Sequence, residues 1–388
     1  MRWISENTKS IQHSKIRRMY HRALQYNHIV NLSIGEPDFT PAANVEAAAC
    51  QAVKEGKSKY SHNAGILPLR EEISQYLHQQ IGVTYNAASE IIVTTGAMGA
   101  LYQALKVILN PSDEVIVSEP CWNNYVQQIL MCGGTPVRIA SLDNGFSLDT
   151  DAVREAVTEK TKAIIINSPS NPTGAVLDKD VLDKVADIAK EYDLLVISDE
   201  VYRNIIYEDT AFTSIAQLPR MQERTLVVDS FSKTFAMTGF RVGFAAGPNE
   251  VIANMTKLQE NICACAPMPS QYAALEALKD SGEHAAYMTS CYQERRNYIA
   301  GRLAEMPSIE YEKPKGTFYA FPSIKKTKLS SEEFALKLLE EEQVVVVPGD
   351  AFGTFGEGYI RISYAASMEE LKKGMDGLER FLRRLASD

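Results

Sequence analysis

From Glu90 onward the chain alternates short runs that are apolar at nearly every position with longer stretches whose apolar residues recur at helical spacing. EIIVTTG gives way to a helical pattern from Ala97, DEVIVSEP to one from Trp122, and KAIIINSP to one from Asp178. LLVISDE and TLVVDSF follow, and Arg241 to Gly247 reads as one more strand. Strands apolar on both sides and separated by helices predict a mainly parallel sheet sandwiched by helices. In such sheets ligands gather at the carboxyl ends of the strands. The residues closing these runs, Gly96, Trp122, Asn171, Asp199 and Ser230, are therefore candidates for one shared rim.

Past about Pro267 the pattern changes. Two helical stretches, Ser270 to Lys279 and His284 to Glu305, lead into a strand-rich block, IEYEKPKGTFYAFP, then VVVVPG, YIRISYA and a last helix from Met368. This predicts an α/β protein whose large domain spans 35–280, with a smaller α+β domain over 281–388 joined by the N-terminal segment 1–34. No internal repeat or low-complexity linker separates the parts.

Composition narrows the chemistry. A net charge of −9 over 388 residues argues against a nucleic-acid surface, which needs clustered Lys and Arg. The N-terminal cations Lys9, Lys15, Arg17, Arg18 and Arg22 read as a solvated helix face. No apolar run approaches the roughly 20 residues of a membrane span, and no secretory signal is visible. The six cysteines are scattered without a C-x-x-C pair, and no histidine stands at metal-ligand spacing, so no metal site and a reducing cytoplasm are expected. No histidine lies between His78 and His284, which counts against a Ser-His-Asp site in the middle of the chain.

SFSKTFAMTGFRVGF, Ser230 to Phe244, places Lys233 between two apolar strands with no acidic residue in the stretch. Burying that amine is costly unless its charge is compensated or its nitrogen bonded. Asp199 ends LLVISD; Ser230, Ser232 and Arg241 suit a phosphate; Gly96-Ala97-Met98-Gly99 follows a strand and opens a helix, whose N-terminus favours anions. Neither a Walker A sequence nor G-x-G-x-x-G is present. Pyridoxal 5'-phosphate uses all these parts together: a lysine for its aldehyde, an acid for its ring nitrogen, and Ser, Arg and a helix N-terminus for its phosphate.

At these segments the chain resembles a known family. SFSKTFAMTGFRVGF, SPSNPTG at Ser168 to Gly174, SDEVYR at Ser198 to Arg203 and YIRISYA at Tyr359 to Ala365 are similar to the signatures of class I/II aminotransferases, as are IGEPDF and the Tyr60 to Arg70 stretch. The matches keep family order from about Asn31 to Ala366. The resemblance implies the type I fold of pyridoxal-phosphate enzymes, a homodimer, and ping-pong transfer of an amino group between an L-amino acid and a 2-oxo acid. It assigns Lys233 to the cofactor's aldehyde carbon and to proton transfer, Asp199 to the ring nitrogen, and Tyr202 and Asn171 to the ring oxygen. Trp122 would stack on the ring. Gly96, Ala97, Met98, Ser230, Ser232 and Arg241 would surround the phosphate, with Tyr60 reaching it from a second subunit. Arg361 would clamp the substrate α-carboxylate, assisted by Gly35 and Asn171.

A C–S β-lyase on the same scaffold stays open as the alternative, since the cofactor shell is shared. In the bacterial aspartate aminotransferases that the chain resembles, a lysine in the loop after the sheet's glycine meets the substrate's distal carboxylate; here that loop offers Met98, which is apolar. CACAPMPSQ, Cys263 to Gln271, supplies no cation either. Neutral or aromatic donors are therefore expected to be slightly favoured over aspartate, unless Lys15 or Arg17 reaches the pocket.

Overall fold

Seven strands build the central sheet in the order Ile91–Thr94, Gly243–Ala246, Thr225–Ser230, Leu195–Asp199, Thr161–Asn167, Glu114–Glu119 and Thr135–Ala140. The computed structural model describes residues 3–141, 145–208 and 210–387. All neighbouring strands run parallel except Gly243–Ala246, which is antiparallel to both of its neighbours. The reversal follows from the connection: a four-residue helix, Phe231–Thr234, and a 3₁₀ turn, Thr238–Phe240, turn the chain back where no long helix crosses the sheet. The strand is shorter than the sequence predicts, because Arg241 stands in the left-handed region at φ 53 and the ladder begins only at Gly243. A Cβ on Gly243 would lie 2.8 Å from Ala97 N and from Asp229 O, so the sheet closes there on bare backbone.

Alternating residues of the strands feed different cores. Val115, Val117, Ala163, Ile165 and Ile197 pack into one cluster, whereas Ile116, Ile164, Ile166 and Val196 pack into another with Leu182, Val185 and Ile188 of the helix Lys179–Glu191. Period-2 alternation with both sets apolar makes the runs uniformly hydrophobic and covers the sheet on both faces. The helix predicted from Trp122 begins at Asn124, and the helices predicted near Ser270 and His284 span Met268–Asp280 and Gly282–Ala304.

The C-terminal block is less regular than the sequence predicts. IEYEKPKGTFYAFP yields only the strand Tyr319–Ala320 and isolated bridges at Glu310 and Gly316. VVVVPG divides: Val344–Val345 pairs in parallel with Val30–Asn31, and Val347–Pro348 joins an antiparallel sheet with Ile360–Ser363 and Tyr319–Ala320. Met19, Ala23 and Leu32 share a core with Val344, Leu371, Met375 and Phe381, so the N-terminal segment packs with the C-terminal helix Met368–Leu385. Among the described residues no helix is long and apolar enough to cross a membrane.

One ion cluster lies beneath the strand ends. Arg203 Nη2 meets Asp229 Oδ2 at 3.0 Å and Glu200 Oε2 at 3.2 Å, all three residues being buried. Burial pushes the Asp229 carboxyl up to about 7, against the downward pull of Arg203. Arg203→Met would strand two buried carboxylates, and we expect unfolding stability to drop by about 3 kcal/mol. Denaturant titration measures it; a loss under about 1 kcal/mol would show the cluster to be dispensable.

Candidate active site

The carboxyl ends of the parallel strands meet on a cavity of about 360 Å³. Lys233 reaches it from the short helix Phe231–Thr234. Ser230 fixes that turn by accepting the Ser232 backbone N–H at 3.1 Å and donating its hydroxyl to Ser232 Oγ at 2.8 Å. Lys233 Nζ donates to the Gly35 carbonyl at 2.6 Å and lies 5.9 Å from the Phe318 ring centroid. The side chain keeps some exposure toward the cavity, yet burial above all, with Glu36 and Asp199 opposing it and the cations Arg361 and Arg241 adding to it, lowers its amine to about 8. The amine is therefore uncharged over a range where an ordinary lysine is an ammonium.

Asp199 sits at the end of its strand, 2% exposed. Its Oδ2 accepts from Tyr125 Oη at 2.7 Å and its Oδ1 from Val201 N at 3.3 Å. Burial pushes the carboxyl up to about 6, and these two donors pull against it. Tyr202 Oη and Tyr319 Oη are 3.0 Å apart, and burial holds the Tyr202 phenol well above its ordinary range. Trp122 is half-buried and meets Tyr125 edge-on at 5.5 Å.

Arg361 alternates with Ile360 and Ile362, which face the core, and so projects from the strand's other side into the cavity. Its Nη1 donates to Asn171 Oδ1 at 2.9 Å and its Nη2 to Ser33 O at 2.6 Å, while Nε is buried without a partner. Tyr319 and Phe352 flank the guanidinium at 4.3 and 4.9 Å. Asn171 is itself held by Asn167, whose Oδ1 accepts the Asn171 backbone N–H at 2.9 Å.

Ala97 and Met98 open the helix Gly96–Ile108 at the cavity wall. Gly96 is just behind that wall: at φ 75, a Cβ there would lie 2.8 Å from Arg241 Nη2. Arg241, whose Nη1 donates to Thr238 O at 2.7 Å, comes up to this helix N-terminus over the bare glycine, whose positive φ itself disfavours a side chain. Gly35 faces the same constraint, since a Cβ would lie 2.1 Å from Tyr319 Oη.

Of the residues singled out from the sequence, Gly35, Ala97, Met98, Trp122, Asn171, Asp199, Tyr202, Ser230, Ser232, Lys233, Arg241 and Arg361 line this one cavity. Tyr60 does not; it is 85% exposed. Sequence reasoning missed Tyr125, Tyr319, Asn167, Asn124, Thr238 and the entry of Ser14 and Ile16; of the two N-terminal cations it left open, Arg17 lines the cavity and Lys15 does not. Tyr125 had a faint signal, an aromatic three residues past Trp122 and hence one helical turn away; Ser14 and Ile16 had none.

Comparison with known proteins agrees with this geometry. The family model for aminotransferase class I and II matches residues 27–378. An aspartate aminotransferase of Pyrococcus abyssi is 43% identical, and an aromatic-amino-acid aminotransferase of Thermococcus litoralis 41%, each aligned over 98% of both chains. The aspartate aminotransferase of Thermus thermophilus, solved with maleate, superposes with a TM-score of 0.93 at 35% identity, covering 98% of this chain and all of that one. The architecture is thus the type I fold of pyridoxal-phosphate-dependent transferases. The chain belongs to the class I and II aminotransferases.

Proposed function

We infer that the chain is a pyridoxal-phosphate-dependent transaminase acting by a ping-pong cycle, with donor and acceptor using one cavity in turn. The observation that carries this is the buried Lys233 amine, lowered to about 8 and sharing a cavity with the buried Asp199 carboxylate. The residues present suit the cofactor: Asp199 would face a ring nitrogen, Tyr202 and Asn171 the ring oxygen, Trp122 a ring face, and Ser230, Ser232, Arg241 and the helix N-terminus at Gly96 to Met98 a phosphate. When bound, pyridoxal phosphate supplies an aldehyde and an electron-withdrawing ring. Lys233 Nζ then holds or returns the proton at the substrate Cα. Arg361 orients the substrate through its α-carboxylate, and Tyr319 and Phe352 exclude water around that pair. One such clamp in one cavity supports successive rather than simultaneous binding of the two substrates.

We further read residues 1–34 as joining the smaller domain over 281–388, supported by the pairing of Val30–Asn31 with Val344–Val345. The larger unit is then 35–280. Six free thiols suit a reducing cytoplasm. A homodimer in which Tyr60 completes the partner's site fits an exposed Tyr60 whose loop is tied, through Asn63 Nδ2 and Ala264 O at 2.8 Å, to the segment following the exposed Ile262.

The reading has direct consequences. Because burial penalises the charged amine, the reactive uncharged form should rise through about pH 8 rather than near the ordinary 10.5. In protein stripped of cofactor, capture of added pyridoxal phosphate by borohydride should follow that profile, with peptide mapping finding the label on Lys233. A label on another lysine, or a profile centred near 10, overturns the assignment. Mixing inactive Tyr60→Ala and Lys233→Ala proteins should restore activity through hybrid dimers with one intact site; hybrids that form without activity would mean self-contained sites. Finally, Met98 and Ile16 give the cavity an apolar wall, and Arg17, the N-terminal cation that also lines it, is exposed and screened by water, so steady-state kinetics should rank phenylalanine and methionine above aspartate as donors. A higher kcat/KM for aspartate refutes that ranking.

A further inference from the structure

Glu119 closes the apolar run DEVIVSEP, at the end of the strand Glu114–Glu119, and is fully buried. A carboxylate there is costly: burial pushes it up from its ordinary range, with Arg138 and the backbone N–H groups of Thr354 and Phe355 opposing. Its Oε2 accepts from Thr354 N at 2.8 Å. Its Oε1 makes no hydrogen bond among the described residues and has Arg138 Nη1, on an exposed side chain, at 3.4 Å. A buried ion satisfied on one side only is a poor source of stability. What it holds in place is more informative.

The segment it meets belongs to the C-terminal block. Two 3₁₀ turns, Gly349–Phe352 and Thr354–Gly356, are joined by Gly353 at φ 115, where a Cβ would lie 2.1 Å from Glu119 Cδ. The carboxyl therefore packs on bare backbone. Just past Glu119, Cys121 N donates to Phe352 O at 2.9 Å. Phe352 is thus pinned through its own carbonyl and through the amide two residues later. Its ring is fully buried, packs with Phe321, Val347 and Ala351, and lies 4.9 Å from the Arg361 guanidinium. Asn171 and Ser33 hold the two Nη atoms of Arg361, while Tyr319 and Phe352 confine the rest of the group, whose Nε has no hydrogen-bond partner.

We propose that Glu119 is a positioning residue for the substrate's α-carboxylate: by accepting the Thr354 N–H against Gly353 it holds Phe352 beside Arg361, and with it the orientation of the guanidinium. This rests on the reading of Arg361 as the carboxylate clamp of a transaminase site. Glu119 acts through the backbone of residues 352–354 and does not line the cavity. It ties the clamp to the strand that leads, three residues on, to Trp122 in the cavity wall. Clamp and wall are then referred to one strand end, which suits a reaction that needs both in fixed register. The contact asks only for an acceptor, so a neutral amide of the same shape serves in place of the carboxylate.

The test uses the holoenzyme and butyrate, a probe with one carboxylate and no amino group, titrated by calorimetry. Glu119→Met, which keeps the bulk and removes the acceptor, should weaken butyrate about tenfold while cofactor content stays at the wild-type level. Glu119→Gln, which keeps a carbonyl acceptor, should stay within about twofold of the wild type. Phe352→Leu should weaken butyrate as well, and adding Glu119→Met to it should cost little more, because both act through one ring. In Glu119→Met, kcat/KM for alanine and for phenylalanine should fall together, since both present the same carboxylate. If Glu119→Met does not fold, Thr354→Pro removes the N–H from the other side, at the first position of a 3₁₀ turn where proline is accommodated, and carries the same expectation. A folded, cofactor-loaded Glu119→Met or Thr354→Pro that binds butyrate like the wild type overturns the proposal and leaves the transaminase reading standing. So do losses that add in the double variant, or a Glu119→Gln protein as impaired as Glu119→Met. A wild-type affinity for butyrate that Arg361→Gln does not change overturns the reading of the clamp, and the proposal with it.

Discussion

A lysine amine enclosed at the carboxyl edge of a parallel sheet is the constraint around which the molecule is arranged. Desolvation favours its uncharged form, and Arg361 and Arg241 add to that pressure. The surroundings must nevertheless fix the nitrogen without neutralising it through an adjacent acid. They do so with a carbonyl, Gly35 O, at 2.6 Å. Delivering the lysine requires the chain to leave Thr225–Ser230 through a single capped turn and come back at once, which is why Gly243–Ala246 alone runs against its neighbours. The reversed strand and the site's central residue therefore have the same cause.

The N-terminal segment closes the arrangement from the other side. Arg361 Nη2 ends on Ser33 O and Lys233 Nζ on Gly35 O, so two nitrogen donors from distant parts of the chain terminate on carbonyls two residues apart. This seam leaves no room for a side chain at Gly35, where Tyr319 Oη occupies the space. Because Asn171 also holds Arg361, and Asn167 holds Asn171, the clamp is coupled to the Thr161–Asn167 strand as well as to its own. Shifts of either part would move Arg361 relative to Lys233, which suits a residue that must orient substrate to within fractions of an ångström.

What the sequence made legible followed from periodicity and from residue type. Continuous apolar runs predicted the covered parallel sheet, and the polar residue at the end of each run predicted the rim, because both follow from strand geometry alone. Arg241 shows the limit: it lies in an apolar stretch that reads as strand, but its backbone is left-handed at φ 53, which no periodicity encodes. Tyr319, in a block that reads as strands and is mostly loop, reaches the site through tertiary packing. The sequence left open whether Lys15 or Arg17 reaches the cavity; that Lys15 is drawn off instead depends on Asp350, more than 300 residues away.

Asp199 shows how such a site can prefer one kind of ligand before any contact with substrate. Its folded-state value of about 6 lies above the ordinary 3.8, so the folded protein binds its proton more tightly than the unfolded chain does. That contribution to stability is present below about pH 4 and is lost as pH rises through about 6. At neutral pH the carboxylate is ionised against the preference of its surroundings, with Tyr125 and Val201 offsetting only part of the desolvation. A cationic nitrogen placed against Asp199 relieves this imbalance, whereas a neutral or anionic group does not. The residues that bury Asp199 thus convert a small loss of stability into selectivity for a protonated partner, and Tyr125, unnoticed in the sequence, sets how much of that loss remains to be recovered on binding.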